Sequence, residues 1–540
     1  MHKKMSKISF QLLKKNLKRD LSSLKVVRIA IMGDTATQLF VQAIKGYGVE
    51  ENLNIVAFEA DFNQVELQVF NSSSEFYRFN PDYVVLYYSS QELLKDFASL
   101  SDPEKINFAQ NRIARFAQIY NTIISGLQAK VLFLNFQEIN DGVFGNYANK
   151  TERSFLYQLR KINFELMNLS IHLKNLFIVD VNILQGRFGE DFLCNRRVFV
   201  NTNMIFNIDF LPFIAKEIIS IIQSVEGKFK KCLVLDLDNT FWGGVIGDDG
   251  IENIQIGNLG IGKAFSDVQL WAKQLKQRGV ILVICSKNDE ATAKLPFMNH
   301  PDMLLSLDDI ALFVANWDSK ANNLKYIQKT LNFGFDSMVY IDDNPCERDL
   351  IRSFLPEIEV PELPDDPADY CSYLQNLNLF ESASYTSEDE NRTRQYIQEM
   401  SRLAVQQQYN DENEFLQSLN MRCSVSLSDE FNIPRIAQLT QRTNQFNLRT
   451  IRYTDEDIAR IFEDPSFFTL SFNLADKYGD YGLVSLMILQ KIDEKSLFID
   501  TWVMSCRVFN RYLEEFTMNY LTDFAFQNGL KTLQLITQVS

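Results

Sequence analysis

The sequence predicts an α/β protein made of successive sheet units, and three observations carry that reading. Short apolar runs alternate with amphipathic stretches from Val26 to about Val225. Two later apolar runs end in acidic pairs, Asp236-Leu237-Asp238 and Asp342-Asp343, and beyond Gln395 longer strand-like segments take over. Strand and helix in alternation build a parallel sheet covered on both faces, and ligands of such sheets bind beyond the carboxyl ends of the strands.

In the first unit VRIAIMGD, DYVVLYY, KVLFLNF and LFIVDVN are the clearest strands. Ahead of them Leu12, Leu13, Leu17, Leu21 and Leu24 recur at helical intervals, so the basic N-terminus reads as an amphipathic helix docked on its own domain. The polar stretch Glu226–Lys230 marks a junction, which places the first domain at 1–226. A second α/β domain follows at 227–380, and the polar segment 381–394 reads as a linker in which Thr386 or Ser387 caps the next helix. The last domain, 395–540, is α+β, with MRCSVSL, FFTLSFNL, GLVSLMIL and SLFIDTWVM as strands.

Composition excludes several functions. A chain of 540 residues with formal net charge −15 is a poor ligand for nucleic acid, whose affinity comes from cationic neutralisation of phosphates. Seven scattered cysteines with no C-x-x-C pair argue against a disulfide framework or a zinc site. The basic start lacks the apolar core of a signal peptide and no later run spans a membrane, so a cytoplasmic location is expected.

The chemistry concentrates at predicted strand ends. Leu233–Leu235 reads as a buried strand, and Asp236 and Asp238 beyond it are two residues apart, a spacing that puts both on one side. One carboxylate can then attack phosphorus while the other handles the leaving-group proton. Two anions this close call for a divalent cation, and oxygen ligands favour magnesium. The next strand ends in Ser286, followed by Lys287 and Asn288; the hydroxyl suits a phosphoryl oxygen, or serves as an ordinary helix cap. Lys320, near a helix start, is either a charge stabiliser or a solvated lysine. Between Thr240 and Ser286 the chain has room for a hairpin and one helix but no large cap, so an open site is expected, with Trp242, Gly243 and Gly244 as a mobile flap or a plain turn.

This ordered set resembles the four motifs of the haloacid-dehalogenase-like (HAD) phosphotransferases, and VLDLDNTFWGGVIGDDG, CSKN, NWDSKANNL and IDDNPCERDLIRSFLPEIEVPELP are similar to the FkbH-like family in particular. The resemblance implies Asp236 as nucleophile and Asp238 as general acid/base. It implies Thr240, Ser286, Lys287 and Asn288 as phosphate or structural contacts, and Lys320 as charge stabiliser. Magnesium is then held by Asp236, Asp238, Asp342 and Asp343. Members of that family load a glyceryl unit from 1,3-bisphosphoglycerate onto an acyl carrier protein, so a phosphorylated three-carbon substrate and a phosphopantetheine thiol are the implied partners. A thioester intermediate would sit on Cys285 or Cys506, with Cys346 a weaker third, unless the acyl group passes directly to the carrier's own thiol. Without the family, the residues alone support a magnesium-dependent phosphatase or phosphotransferase of unknown substrate. A simple phosphatase of a soluble ester and a non-catalytic assembly module are the alternatives.

The flanking domains carry looser resemblances. The first is similar to SGNH hydrolases, but Thr35 replaces the serine of the G-D-S turn at Gly33-Asp34-Thr35, and none of His2, His172 and His300 stands in the required D-x-x-H context. A non-hydrolytic docking module is therefore expected. The last resembles GNAT acetyltransferases through QLTQRTNQFNLRTIRYT, DKYGDYGLVSL and WVMSCRVFNRYLEE, yet Asn510 and Tyr512 occupy positions where the family keeps glycines, which argues against ordinary acetyl-CoA-dependent transfer.

Overall fold

In the computed structural model, residues 8–535 are described except 387, 407, 408, 410, 428, 429 and 444, so the proposed Ser387 cap and His2 lie outside the described residues. The chain divides into two compact units, 1–222 and 223–540.

The first unit is a five-stranded parallel sheet: β1 (Lys25–Gly33), β2 (Leu53–Glu59), β3 (Tyr83–Tyr87), β4 (Lys130–Leu134) and β5 (Leu176–Val179), in the order β2-β1-β3-β4-β5. Every residue of β3 is buried, as expected of a strand covered on both faces. One face carries an aromatic core in which Phe116 and Phe133 approach to 4.9 Å between ring centroids. Gly33 ends β1 where a Cβ would stand 2.9 Å from the Tyr87 carbonyl oxygen, so only glycine lets β1 and β3 approach this closely there. The next residue, Asp34, accepts hydrogen bonds from the Ser89 amide at 2.9 Å and the Ser89 hydroxyl at 3.3 Å; burial nevertheless pushes its carboxyl up to about 7. Thr35 is completely buried rather than presented at the surface. His172 ends the exposed tip of helix Phe155–His172, just before β5, at the opposite edge of the sheet from Gly33. The N-terminal helix is shorter than its leucine spacing suggests. It runs Phe10–Asn16 behind the Ser9 cap with Leu17 at its C-terminal end, and the buried Asn16 side chain bonds the Gly46 carbonyl at 3.3 Å.

The second unit contains two sheets. β6 (Cys232–Leu235), β7 (Ile281–Ser286), β8 (Leu312–Ala315) and β9 (Met338–Ile341) form a parallel sheet in the order β8-β7-β6-β9. Side chains alternate as the two-residue period demands: Leu233 and Leu235 pack into one core, Cys232 and Val234 into the other. The second sheet is β10 (Arg422–Leu427), β11 (Phe467–Asp476), β12 (Gly479–Lys491), β13 (Ser496–Met504) and β14 (Thr532–Leu535). It is antiparallel except for the closing β13–β14 pair, whose parallel register requires the crossover helix Leu513–Gln527. Asp476 pins the β11–β12 turn, taking a bidentate pair from the buried Arg402 at 2.7 and 2.8 Å and the Tyr478 amide at 2.8 Å. No helix among the described residues is long and apolar enough to cross a membrane.

Segment 381–394, expected as a polar linker, carries a buried carboxylate. Asp389 is fully buried and pairs with Arg392 at 2.7 Å and with Arg442, while Gln438 donates to it at 2.8 Å. Gly279, the residue before β7 begins its apolar run, has no room for a Cβ because Asp389 stands 2.8 Å away. The polar residues of this segment are thus spent on each other and on the helix Ile433–Arg442, which ties the parallel sheet to the antiparallel one. Removing one partner of a buried pair leaves uncompensated charge. Asp389→Ala should therefore lower the unfolding free energy by about 3 kcal/mol or more in urea titrations, where a linker carboxylate would change it by less than about 0.5 kcal/mol.

Candidate active site

β6 lies in the middle of its sheet, with β7 on one side and β9 on the other, so the chain switches direction across it. The crevice at such a switch point is where ligands of open parallel sheets bind. Asp236 follows β6, and its amide donates to the Ile341 carbonyl of β9 at 3.0 Å. Asp342 and Asp343 follow β9, and Ser286 closes β7. Oxygens of Asp236, Asp342 and Asp343 all lie within 4.8 Å of one another.

Lys320, the first residue of helix Lys320–Leu331, holds this cluster together. Its amino group is 2.9 Å from Asp236 and also pairs with Asp342, and its side chain is only 4% exposed. Asp342 accepts further bonds from the Tyr340 hydroxyl and, at 2.8 Å, from the Asn344 amide. Arg348 donates to the carbonyls of Asp342 at 2.8 Å and Asp343 at 2.6 Å, fixing the backbone that carries both acids. On the other side the chain turns tightly after β6, with Phe241 N donating to the Leu237 carbonyl at 2.7 Å and Asn239 in the left-handed region at φ 53°. That turn delivers Thr240 to Asp343. The Asp343 amide donates to its hydroxyl at 2.9 Å, and the hydroxyl meets the Asp343 carboxylate at 3.2 Å.

Charge in the cluster does not balance. Burial would lower the Lys320 ammonium, yet Asp236 and Asp342 more than offset it and hold its pKa above the usual lysine range. Burial raises Asp236, with Lys320 opposing and Asp342 adding to the rise; burial and Asp342 likewise raise Asp343. Three carboxylates facing one ammonium leave two negative charges in excess. An all-oxygen donor set with that excess fits a hard divalent cation held by Asp236, Asp342 and Asp343.

Several expectations need correction. The Asp238 carboxylate is not in the cation cluster. It points away, accepting from Trp242 Nε1 at 2.9 Å, the Ile246 amide at 3.0 Å and Asn288 Nδ2 at 2.9 Å. The two-residue period fails here because β6 ends at Leu235, before either acid. Asp238 stays joined to the site through Asn288, which also bonds Ser286 at 3.2 Å, and Ser286 in turn bonds Asp236. Trp242 is completely buried, so it is no flap tip; a bridge from Gly243 to Gln255 and one helical turn, Ile246–Asp249, make up the hairpin. Helix Gly260–Gln277 then packs on the sheet, so the described residues between Thr240 and Ser286 contain no cap module. Lys287 is spent on an ion pair with Glu347 at 2.6 Å. Cys285 sits in the core beside Val234 and Val283, and burial pushes its thiol up to about 12, which leaves it no thiolate to offer. Cys506 is not brought to the cluster either. It lines a cavity with Lys231, the residue preceding β6, and so lies at the other end of that strand. Cys346 is exposed in the first turn of helix Pro345–Phe354.

Tyr340 and Arg348 escaped the sequence reading, and both have a positional signal. Tyr340, in β9, stands two residues before Asp342 and its hydroxyl bonds that carboxylate, while Arg348 returns to the same backbone from the first turns of the following helix. If Lys320 offsets the carboxylates as argued, Lys320→Met should lower stability by about 3 kcal/mol in EDTA. Millimolar magnesium should recover part of that loss, because a cation that binds the folded form stabilises it by mass action. Denaturant titrations with and without magnesium check this; equal curves would count against a cation at these carboxylates.

The family described as FkbH, N-terminal domain, matches residues 28–223. A crystal structure of the N-terminal part of the protein BF1531 from Bacteroides fragilis, described as containing a phosphatase domain complexed with Mg, is 48% identical, with a TM-score of 0.68 over 70% of this chain and 100% of that one. The ribosomal-protein-S18-alanine N-acetyltransferase of Escherichia coli aligns at 13% identity over 22% of this chain and 69% of its own, with a TM-score of 0.19, a likeness too small to argue from. No curated protein matches the chain. The extent and identity of the Bacteroides match, together with the FkbH match over the first unit, place this chain in the FkbH-like family.

Proposed function

We propose that this chain is a magnesium-dependent, HAD-like phosphatase that acts on 1,3-bisphosphoglycerate and passes the glyceryl unit to an acyl carrier protein thiol. The observation that carries the phosphatase reading is the Asp236–Lys320–Asp342 arrangement at the switch point of the parallel sheet. The description of the Bacteroides relative as containing a phosphatase domain complexed with Mg supports it.

In this reading the Asp236 carboxylate attacks the ester phosphorus, the P–O bond to the substrate breaks, and the departing alkoxide takes a proton from Asp238, whose carboxyl group turns from its Trp242 and Asn288 contacts to reach it. Water then attacks the phosphorus on Asp236, gives its proton to Asp238 and releases inorganic phosphate. Ser286 and Thr240 orient the neighbouring acids, and Lys320 neutralises the entering phosphoryl oxygens. Magnesium, when bound by Asp236, Asp342 and Asp343, supplies further positive charge for the transferring group.

The acyl phosphate follows different chemistry. A thiolate attacks its carbonyl carbon, the carbon–oxygen bond to phosphate breaks, and a thioester forms; exchange with the carrier's thiol completes the transfer. Cys506 is the better candidate for this thiolate, since it lines a cavity while Cys285 is fully buried in the core. Burial raises the Cys506 thiol, but Lys231 and Arg507 oppose that rise, whereas the core around Cys285 pushes its thiol to about 12. The first unit, with its β2-β1-β3-β4-β5 order and Gly33-Asp34-Thr35 turn, is assigned as an SGNH-like module without hydrolytic machinery. The β10–β14 sheet, with its closing parallel pair, is assigned as GNAT-like.

Asp236→Asn should abolish release of the ester phosphate, a drop of at least about a thousandfold in turnover, and should leave the fold intact by circular dichroism. Intact-mass analysis of candidate carrier proteins, incubated with enzyme, magnesium and bisphosphoglycerate, should show a glyceryl adduct that Cys506→Ala removes. Phosphate release without an adduct would instead select a phosphatase of a soluble ester.

Asn510 and Tyr512 both adopt left-handed backbone, at φ 59° and 58°, the conformation in which the resembling glycines are favoured. Tyr512 immediately precedes helix Leu513–Gln527 and bonds Asn413 at 3.0 Å, a position at which its side chain would crowd a pyrophosphate held at the helix start. Calorimetry with acetyl-CoA should show no micromolar binding.

A further inference from the structure

A cavity of about 300 Å³ lies in the second unit at the amino-terminal edge of the parallel sheet, where Lys231 precedes β6 and Ile281 begins β7. Its walls carry Lys231, Arg392, Arg435, Arg442 and Arg507 beside Cys506, and Asp336 is the one carboxylate among the described lining residues. Such a concentration of cations is notable in a chain of formal net charge −15.

Three of the five cations are accounted for. Arg392 and Arg442 share Asp389, and Arg435 pairs with Glu388 at 2.9 Å. Two are not. The Lys231 amino group donates to the Arg442 carbonyl at 2.9 Å, and Arg507 donates to the Gln395 side-chain oxygen and, at 3.3 Å, to the Ser505 hydroxyl. Among the described residues neither has a carboxylate within the 4.0 Å of an ion pair. Burial pushes the Lys231 ammonium down to about 8, with Cys506 and Asp336 opposing the fall and the charges of Arg392 and Arg452 adding to it. Half-buried cations without a directly paired carboxylate are costly, and an anionic ligand would relieve that cost. Guanidinium groups suit phosphate oxygens through their forked donors, and a volume at the small end of ligand pockets fits a small molecule rather than a nucleotide.

We propose that this cavity binds a phosphate monoester dianion, gripped by Lys231 and Arg507, at a site separate from the phosphoryl-transfer cluster of Asp236. The site itself is argued from charge and space alone; only the choice of titrants rests on the proposed function. The same dianion could belong to a phosphorylated three-carbon acid or to free phosphopantetheine, and the experiment separates the two.

The test is calorimetry on the full chain carrying Asp236→Asn in EDTA, so that the carboxylate cluster contributes nothing. The titrants are 3-phosphoglycerate, phosphopantetheine, and glycerate as the phosphate-free control. One-to-one binding of either phosphorylated titrant but not of glycerate is expected, and the tighter of the two identifies the source. Lys231→Met and Arg507→Gln should each weaken binding at least tenfold, while Arg507→Lys, which keeps the charge, should weaken it less than Arg507→Gln. Absence of binding, equal binding of glycerate, or affinities unchanged in variants that are folded by circular dichroism would overturn the proposal. Binding that survives while an otherwise unaltered chain releases no phosphate from any ester would count against the phosphatase reading instead.

Discussion

One buried ammonium organises the catalytic half of this molecule. Lys320 reaches from a helix start to two carboxylates that terminate adjacent strands, and without it Asp236 and Asp342 would face each other across a few ångströms of protein with nothing to screen them. The rest of the site is built to keep that contact. Tyr340 and the Asn344 amide hold Asp342, Arg348 holds the backbone of both β9 acids, and the Thr240 hydroxyl holds Asp343 against the turn after β6. The arrangement is stable only in part, because two negative charges remain unbalanced. That residual charge is what makes the site receptive to a cation.

Much of this was legible in the sequence, and the reason is the parallel sheet. A strand buried on both faces must be apolar throughout, so the first acid after it announces the strand end, and Asp236, Ser286 and Asp342 could be placed at one edge from their apolar approaches alone. What could not be read is orientation beyond the strand. Asp238 follows a turn, where the two-residue period no longer applies, and its carboxylate goes to Trp242 and Asn288 instead of the cation cluster. Cys285 fails for the converse reason: it is still inside β7, where alternation sends it into the core just before Ser286 reaches the site.

Segment 381–394 shows a second limit of composition. Polar residues in a run read as solvated, yet Asp389 is sealed from water by three partners that lie up to 53 residues away in sequence. A linker and a buried polar strap have the same composition and differ only in whether the chain elsewhere supplies counter-charges, and here Arg392 and Arg442 do so. The leucine spacing at the N-terminus misled in a similar way, since the helix ends at Asn16 although Leu17, Leu21 and Leu24 continue the apolar spacing.

The shortness of β6 has a consequence for traffic. From Lys231 at one end to Asp236 at the other is five residues, or about 16 Å of extended chain, more than a three-carbon molecule spans. A substrate engaged at one end cannot be engaged at the other, so two chemical steps placed there must follow one another with a journey between them. An intermediate that made the journey free would be diluted into bulk solvent and open to competing enzymes. One that stayed covalently attached to a flexible arm would keep an effective concentration in the millimolar range at both stations. A strand of four residues thereby sets the minimum reach of whatever arm does the carrying.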